Sequence, residues 1–172
     1  MKPGLVRILA VVALAIALAA IVHWWTSDRR RILAQFEALQ SAIEKNGPGG
    51  SEGTLDRLAH ARAVSQMFAD GFVILAQPYE GTIDSRQQLM AVVDRYRGSA
   101  ETIAVSASEV EVKLRPNATA ELTAEVEAVG LRQGGPGRER LRLRLAWRED
   151  EGVWRIQELE VIEVLDSSGL FF

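Results

Sequence analysis

Residues 118–128 read Ala-Thr-Ala-Glu-Leu-Thr-Ala-Glu-Val-Glu-Ala, an unbroken alternation. A period of two places Ala118, Ala120, Leu122, Ala124, Val126 and Ala128 on one face of a strand and Thr119, Glu121, Thr123, Glu125 and Glu127 on the other. One face is built for a core and the other for water, the pattern of an antiparallel sheet covered on one side. The alternation continues outward in both directions. Upstream of the turn Arg115-Pro116-Asn117, Ile103, Val105 and Ala107 alternate in one phase and Val110, Val112 and Leu114 in the other, which predicts a β-bulge near Ser108 or Glu109. Downstream of the loop Gln133–Gly137, Leu141, Leu143, Leu145 and Trp147 face inward while Arg138, Arg140, Arg142, Arg144 and Arg148 face outward. After Glu149–Gly152 the last strand, Val153–Leu165, slips phase between Trp154/Ile156 and Leu159/Val161, so a second bend is expected near Gln157.

Before these four strands the period is helical. Ile32, Phe36, Leu39 and Ile43 give residues 28–46 an amphipathic face. The stretch 47–53, Gly-Pro-Gly-Gly-Ser-Glu-Gly, ends that helix, and Thr54 is a natural N-cap for a second helix with Leu55, Leu58, Ala59, Met67 and Phe68 as its apolar side, running towards Gly71. Phe72–Ala76 reads as a short buried strand ended by Gln77-Pro78. Thr82–Asp84 leads into a third helix, Ser85–Arg97, with Leu89, Val92, Val93 and Tyr96 facing the core. The fold class is α+β: helices packed in a strongly bent, mostly antiparallel sheet. One compact domain, residues 54–166, fits the length, with 167–172 as a carboxy-terminal tail.

The amino-terminal part has a different character. Behind a tail of residues 1–7, residues 8–25 carry no formal charge and would cross about 27 Å of hydrocarbon as a helix. Trp24 and Trp25 stand at the expected membrane interface, followed by Arg29, Arg30 and Arg31 as snorkelling anchors. The segment is therefore expected to be a transmembrane helix or uncleaved signal-anchor, the rival being a signal peptide cleaved after Ala17-Leu18-Ala19. A single-pass protein of a bacterial inner membrane, its domain on the periplasmic side, is the expected localisation, with the lipid bilayer as one partner. The chain's net charge of −3 conceals this division: Lys2, Arg7, Arg29, Arg30 and Arg31 against Asp28 give residues 1–31 a charge of +4, leaving −7 on residues 32–172. An acidic domain argues against nucleic acid, which needs a net basic face. Zero cysteines remove disulfides, thiolate metal sites and Cys nucleophiles. His60 has no second histidine near it in the domain, and no phosphate-binding glycine motif is present, so no metal and no cofactor are expected.

The order of elements resembles the cone-shaped fold of the nuclear transport factor 2-like superfamily, which includes SnoaL-type and ketosteroid isomerase-type proteins. The likeness rests on Phe68-Ala69-Asp70-Gly71 at the junction of second helix and first strand, on Gly81 before the third helix, and on Ala118–Leu122. It implies a bent sheet wrapped around helices with a pocket inside. In isomerase-like members an acid eight positions after the junction phenylalanine abstracts a proton; here that position is Ala76. No catalytic residue is therefore assigned, and Asp70, Tyr79 and Asp84 are the remaining candidates. Phe68, Phe72, Tyr79, Tyr96, Trp147 and Trp154 are expected to line the cavity or to fill the core. Arg138, Arg140, Arg142 and Arg144 form either a ladder with the glutamates of the neighbouring strand or a face for a protein partner. On this reading the protein is an envelope-anchored assembly module that binds a protein partner or a second copy of itself, with an apolar small molecule as a further ligand. The alternative is a SnoaL- or isomerase-type enzyme acting on a small hydrophobic substrate.

Overall fold

The structure, a computed structural model, describes residues 14, 16, 18, 27–45, 52–79, 81–132 and 135–169. Among the described residues from Ser27 onward, three helices and six strands follow one another: α1 (Asp28–Ile43), α2 (Thr54–Gln66), β1 (Phe68–Ala76), β2 (Gly81–Ile83), α3 (Arg86–Ser99), β3 (Ala100–Arg115), β4 (Thr119–Arg132), β5 (Gly135–Asp150) and β6 (Val153–Ser167). They form a single curved mixed sheet in the order β2-β1-β6-β5-β4-β3. All neighbours are antiparallel except β1 and β6, which run parallel.

The two phase slips in the sequence are where the sheet bends. The β3–β4 register jumps between Ser108 and Glu111, with Glu109 at φ 52°, and the β5–β6 register jumps at Ala146/Trp147, where Gln157 is the extra residue. Each bulge returns the apolar side chains to the concave face after the strand has turned. The β3–β4 turn is tighter than the alternation implies. Asn117 and Ala118 both take left-handed φ values, 61° and 51°, so Ala118 belongs to the turn and β4 starts at Thr119.

The core lies between this concave face and the helices. Ile32, Phe36 and Leu39 of α1 meet Leu122 of β4, Leu145 and Trp147 of β5, and Trp154 and Ile156 of β6. Ser85 caps α3 by accepting from the Gln88 N–H at 3.2 Å. Arg86, in the first turn of α3, donates to the carbonyls of Ser65 and of Phe68, the latter at 2.9 Å, tying the end of α2 to the start of β1.

Several boundaries differ from the sequence reading. The helix expected to reach Gly71 stops at Gln66, because Phe68 already pairs with Ile156 of β6 and the Ile156 N–H donates to the Met67 carbonyl at 2.9 Å. A ladder to a strand ninety residues away wins over local helical spacing. Thr54 is the first residue of α2 and Gly53 its cap. The apolar face of α2 is also rotated: Ala61 and Val64 are buried, whereas Leu55 is 82% exposed and Leu58 42%. Of the stretch Thr82–Asp84, read as a lead into α3, Thr82 and Ile83 join Gly81 in β2. The 133–137 loop is shorter than expected, since Arg132 already pairs with Gly135.

No described helix is long and apolar enough to cross a membrane. Apart from Leu14, Ile16 and Leu18, which are helical and exposed, the segment 8–25, including Trp24 and Trp25, lies outside the described residues. Of the three boundary arginines, all within α1, Arg31 bonds Glu149 at 3.1 Å and the Gly152 carbonyl. It thereby fastens the start of α1 to the β5–β6 turn.

Candidate functional site

Inside the sheet's curvature is a cavity of about 250 Å³. Its walls come from seven elements: Ile43 ends α1, Ile74 and Ala76 come from β1, Ile83 from β2, Leu89, Val93 and Tyr96 from α3, Ile103 from β3, Leu141 and Leu143 from β5, and Leu159 and Val161 from β6. The odd phase of β5 and the slipped phase of β6 aim these side chains inward, so the bulge at Gln157 is what brings Leu159 into the wall. The surface offered is almost wholly apolar. It suits a neutral organic molecule rather than a charged one, whose desolvation nothing here would compensate.

Ala76 occupies the wall where the resemblance places a proton-abstracting acid, so the position is retained and the carboxyl is not. Tyr79 alone of the three candidate residues reaches the cavity. Asp70 is exposed and paired with Arg86 at 2.9 Å; that hydrogen bond and charge hold its carboxyl below the ordinary range. Asp84 is exposed at the start of α3, its N–H 3.4 Å from the Gln88 side-chain oxygen. The aromatic set divides: Tyr79 and Tyr96 line the cavity, while Phe68, Phe72, Trp147 and Trp154 are packed in the core between sheet and helices. Phe68 and Phe72 lie against each other with ring centroids 4.9 Å apart.

The Tyr79 phenol donates to Oε2 of Glu139 at 3.0 Å, and Oε1 of Glu139 accepts from the Ser167 hydroxyl at 2.9 Å. Glu139 has no exposed surface, whereas Ser167, its partner across the β5–β6 ladder, is exposed. Burial and the neighbouring carboxylate push the Tyr79 hydroxyl up to about 12. Glu139 was not among the expected site residues. Its signal is present in the sequence all the same: it shares the inward phase of Leu141, Leu143, Leu145 and Trp147, as the one carboxylate in that run.

A second buried polar group borders the cavity. Arg97, 3% exposed, donates through Nη1 to the carbonyls of Ala42, Ile43 and Glu44 at 3.0, 2.9 and 2.8 Å. Its Nε and Nη2 meet Oε1 of Glu52 at 3.0 and 2.6 Å. The last turn of α1 has no basic residue of its own, so α3 supplies the cation that its carbonyl end requires. With every guanidinium nitrogen thus committed, Arg97 holds α1 over the cavity rather than presenting charge to it.

The arginine row is a ladder. Arg138 pairs with Glu127 at 2.8 Å, Arg140 and Arg142 share Glu125 at 2.7 and 2.6 Å, Arg142 also meets Glu163 at 2.8 Å, and Arg144 pairs with Glu160. Hydrogen bonds from Arg142 and Arg140 hold the Glu125 carboxyl below its ordinary value. Among the described residues no cluster of side chains is arranged to hold a metal ion.

This architecture, a curved sheet closed by helices around an apolar cavity, defines the class. The model of the SnoaL-like domain family matches residues 54–160, and the chain belongs to that family. No functionally curated protein matches the sequence. Among solved structures, the chain is similar to a provisionally named scytalone dehydratase from Novosphingobium aromaticivorans, with a TM-score of 0.67 and 10% identity over 82% of this chain and 86% of that one. It is also similar to a type 2 hexachlorocyclohexane dehydrochlorinase, with a TM-score of 0.63 and 10% identity over 84% and 91% of the two chains. A provisionally named aromatic ring hydroxylase, again from N. aromaticivorans, gives a TM-score of 0.63 and 16% identity over 82% and 93%. At such identities the likeness is one of fold.

Proposed function

We propose that this SnoaL-like domain takes a small, neutral, apolar molecule into the cavity inside its cone and acts on it as an enzyme. The observation that carries the proposal is the cavity itself: about 250 Å³, walled by aliphatic side chains and two tyrosines, with one phenol hydrogen-bonded to a fully buried carboxylate. A pocket that only completed a core would have no use for a carboxylate taken out of water, which is costly unless its hydrogen bonds are met. Two structural neighbours are named as a dehydratase and a dehydrochlorinase, which supports an enzymatic use of the fold. The reading as an envelope assembly module has less behind it, because the arginines that would form its docking face are engaged by glutamates of adjacent strands.

The membrane tether is part of the proposal on the ground of sequence: residues 8–25 are uncharged, and Leu14, Ile16 and Leu18 are helical with exposed apolar side chains, as lipid-facing residues are. Fractionation of cells expressing the full chain tests it, and recovery in the salt-washed soluble fraction would reject the tether. The cavity reading is tested by titrating the full chain with neutral aryl ketones and with their carboxylated analogues. Saturable binding of the neutral compounds alone is expected, and equal or better binding of the charged ones would overturn it.

A further inference from the structure

We infer that the segment Leu170-Phe171-Phe172 folds back and seats one phenyl ring in the cavity, so that a ligand must displace the protein's own tail to bind. The inference rests on the reading of the cavity as a small-molecule site and adds how that site is regulated. Three observations carry it. Leu141, Leu143, Leu159 and Val161 face the cavity, yet each stays partly exposed, so the described residues leave this apolar wall uncovered. The tail leaves β6 beside that wall: the Ser167 hydroxyl and the phenol of the wall residue Tyr79 bond the two oxygens of one carboxylate, Glu139, at 2.9 and 3.0 Å. Beyond Ser167 the chain turns towards the inner face of the sheet. The Ser168 N–H donates to the Arg138 carbonyl at 2.8 Å, Gly169 takes φ 77°, and its carbonyl accepts from Arg132 at 3.5 Å. Arg132 shares the inward phase of Ala124, Ala128 and Gly130, and Gly130 is the rung partner of the wall residue Ile103. Gly169, the last described residue, is therefore on the cavity's side of the sheet.

The three residues that follow match what they would enter. Extended, they reach about 10 Å beyond Gly169. At roughly 30 Å³ per non-hydrogen atom, the share of a molecule in liquid water, the carbons of a phenylalanine side chain take about 210 Å³. The cavity offers about 250 Å³, so one ring fills it and two do not. Its walls meet a phenyl ring with aliphatic carbon and the rings of Tyr79 and Tyr96, and they ask for no polar partner. Leu170, Phe171 and Phe172 are all apolar, so leaving them in water is unfavourable. Because Gly169 is already held beside the wall, the ring is presented at the millimolar effective concentration of a short linker, which favours the chain's own tail over a second copy's. The occluded fraction scales the apparent affinity: a tail seated in roughly nine chains of ten weakens ligand binding about tenfold.

The test uses 1-tetralone, an apolar aryl ketone, titrated calorimetrically into the full chain, into the double variant Phe171→Ser, Phe172→Ser, and into a chain ending at Gly169. About tenfold tighter binding to both altered proteins is expected, with thermal melting in parallel to show that each is folded. Equal or weaker binding to the folded variants would overturn the seated tail and leave the cavity reading standing. Absence of binding in all three would instead overturn the cavity reading beneath it. A measurement without ligand decides the tail by itself: nuclear Overhauser contacts between the Phe171 or Phe172 ring and the methyl groups of Leu141, Leu143 or Val161 are expected within one chain. Their absence, or contacts only between differently labelled chains, would overturn the proposal.

Discussion

Replacing Arg97 by methionine removes the cation that fastens α1 over the cavity while keeping most of the aliphatic stem. Its side chain is 4% exposed and that of its partner Glu52 is 10%. Three helix-end carbonyls lose their donor, and among the described residues the Glu52 carboxylate keeps Lys45 at 3.8 Å and His60 at 3.7 Å as its cationic neighbours. Removing one partner of a buried ion pair costs about 3–5 kcal/mol, since the other is left charged and undercompensated. For a chain of this length that corresponds to a fall in Tm of roughly 6–20 °C. Urea unfolding followed by circular dichroism measures the cost, and hydrogen exchange locates it: the amides of α1 should lose protection before those of β4 and β5. Adding Glu52→Gln to Arg97→Met should recover part of the loss, because much of the cost is the stranded carboxylate. A cost below about 1 kcal/mol, the scale of an exposed surface pair, would refute this account of how α1 is held.

Three further outcomes follow from the same geometry. Glu125 titrates below its ordinary value in the folded protein, so its contribution to stability is present above about 4.5 and is lost as pH falls towards the folded value. Glu125→Gln should accordingly lose less stability than wild type between neutral pH and acid, as read by denaturant midpoints at a series of pH values; parallel curves would contradict the ladder's electrostatics. Tyr79 titrates above its ordinary value, so its contribution is complete below about 10 and disappears as pH rises through about 12. Ultraviolet titration should show one of the two tyrosines ionising near that value, and Glu139→Gln should bring it down; a wild-type midpoint for Tyr79 at the ordinary value would refute the buried pair. Gly71→Ala should cost about 1–2 kcal/mol through the backbone alone, since Gly71 has φ +70° with nothing within 4 Å of where the new methyl would sit. A neutral result in the same unfolding assay would show that β1 can re-form without that conformation.

The sheet is legible in the sequence because its period is. Ala and Glu, the commonest residues of 118–128, favour helix when counted one by one, yet strict alternation decides for a strand because only that period buries a whole face. The bends near Ser108 and Gln157 are legible for the same reason: a bulge shifts the apolar phase by one. The faces of α1 and α3 follow their spacing. The face of α2 does not, since Leu55 and Leu58 point outward while the small residues Ala61 and Ser65 are buried. The parallel pairing of β1 with β6 leaves no local trace, so the early start of β1 at Phe68 goes unseen. In the site, Tyr79 and Tyr96 are legible as aromatic residues next to the inward-facing elements. Arg97 is not, because its burial depends on the carbonyl end of another helix, fifty residues earlier in the chain. Glu139 lies between, visible only to a reading that asks what the inward phase of β5 contains before its leucines begin.

The central claim is that the cavity inside the cone is a binding site for a neutral apolar molecule. Isothermal titration of the full chain with 1-tetralone, beside Leu143→Trp, tests it most directly, because the indole would occupy the space the ketone needs while leaving Tyr79, Glu139 and Ser167 in place. Saturable binding to wild type with at least a tenfold loss in a folded Leu143→Trp is the predicted result. Equal affinity in the two proteins, or none in wild type, would contradict it.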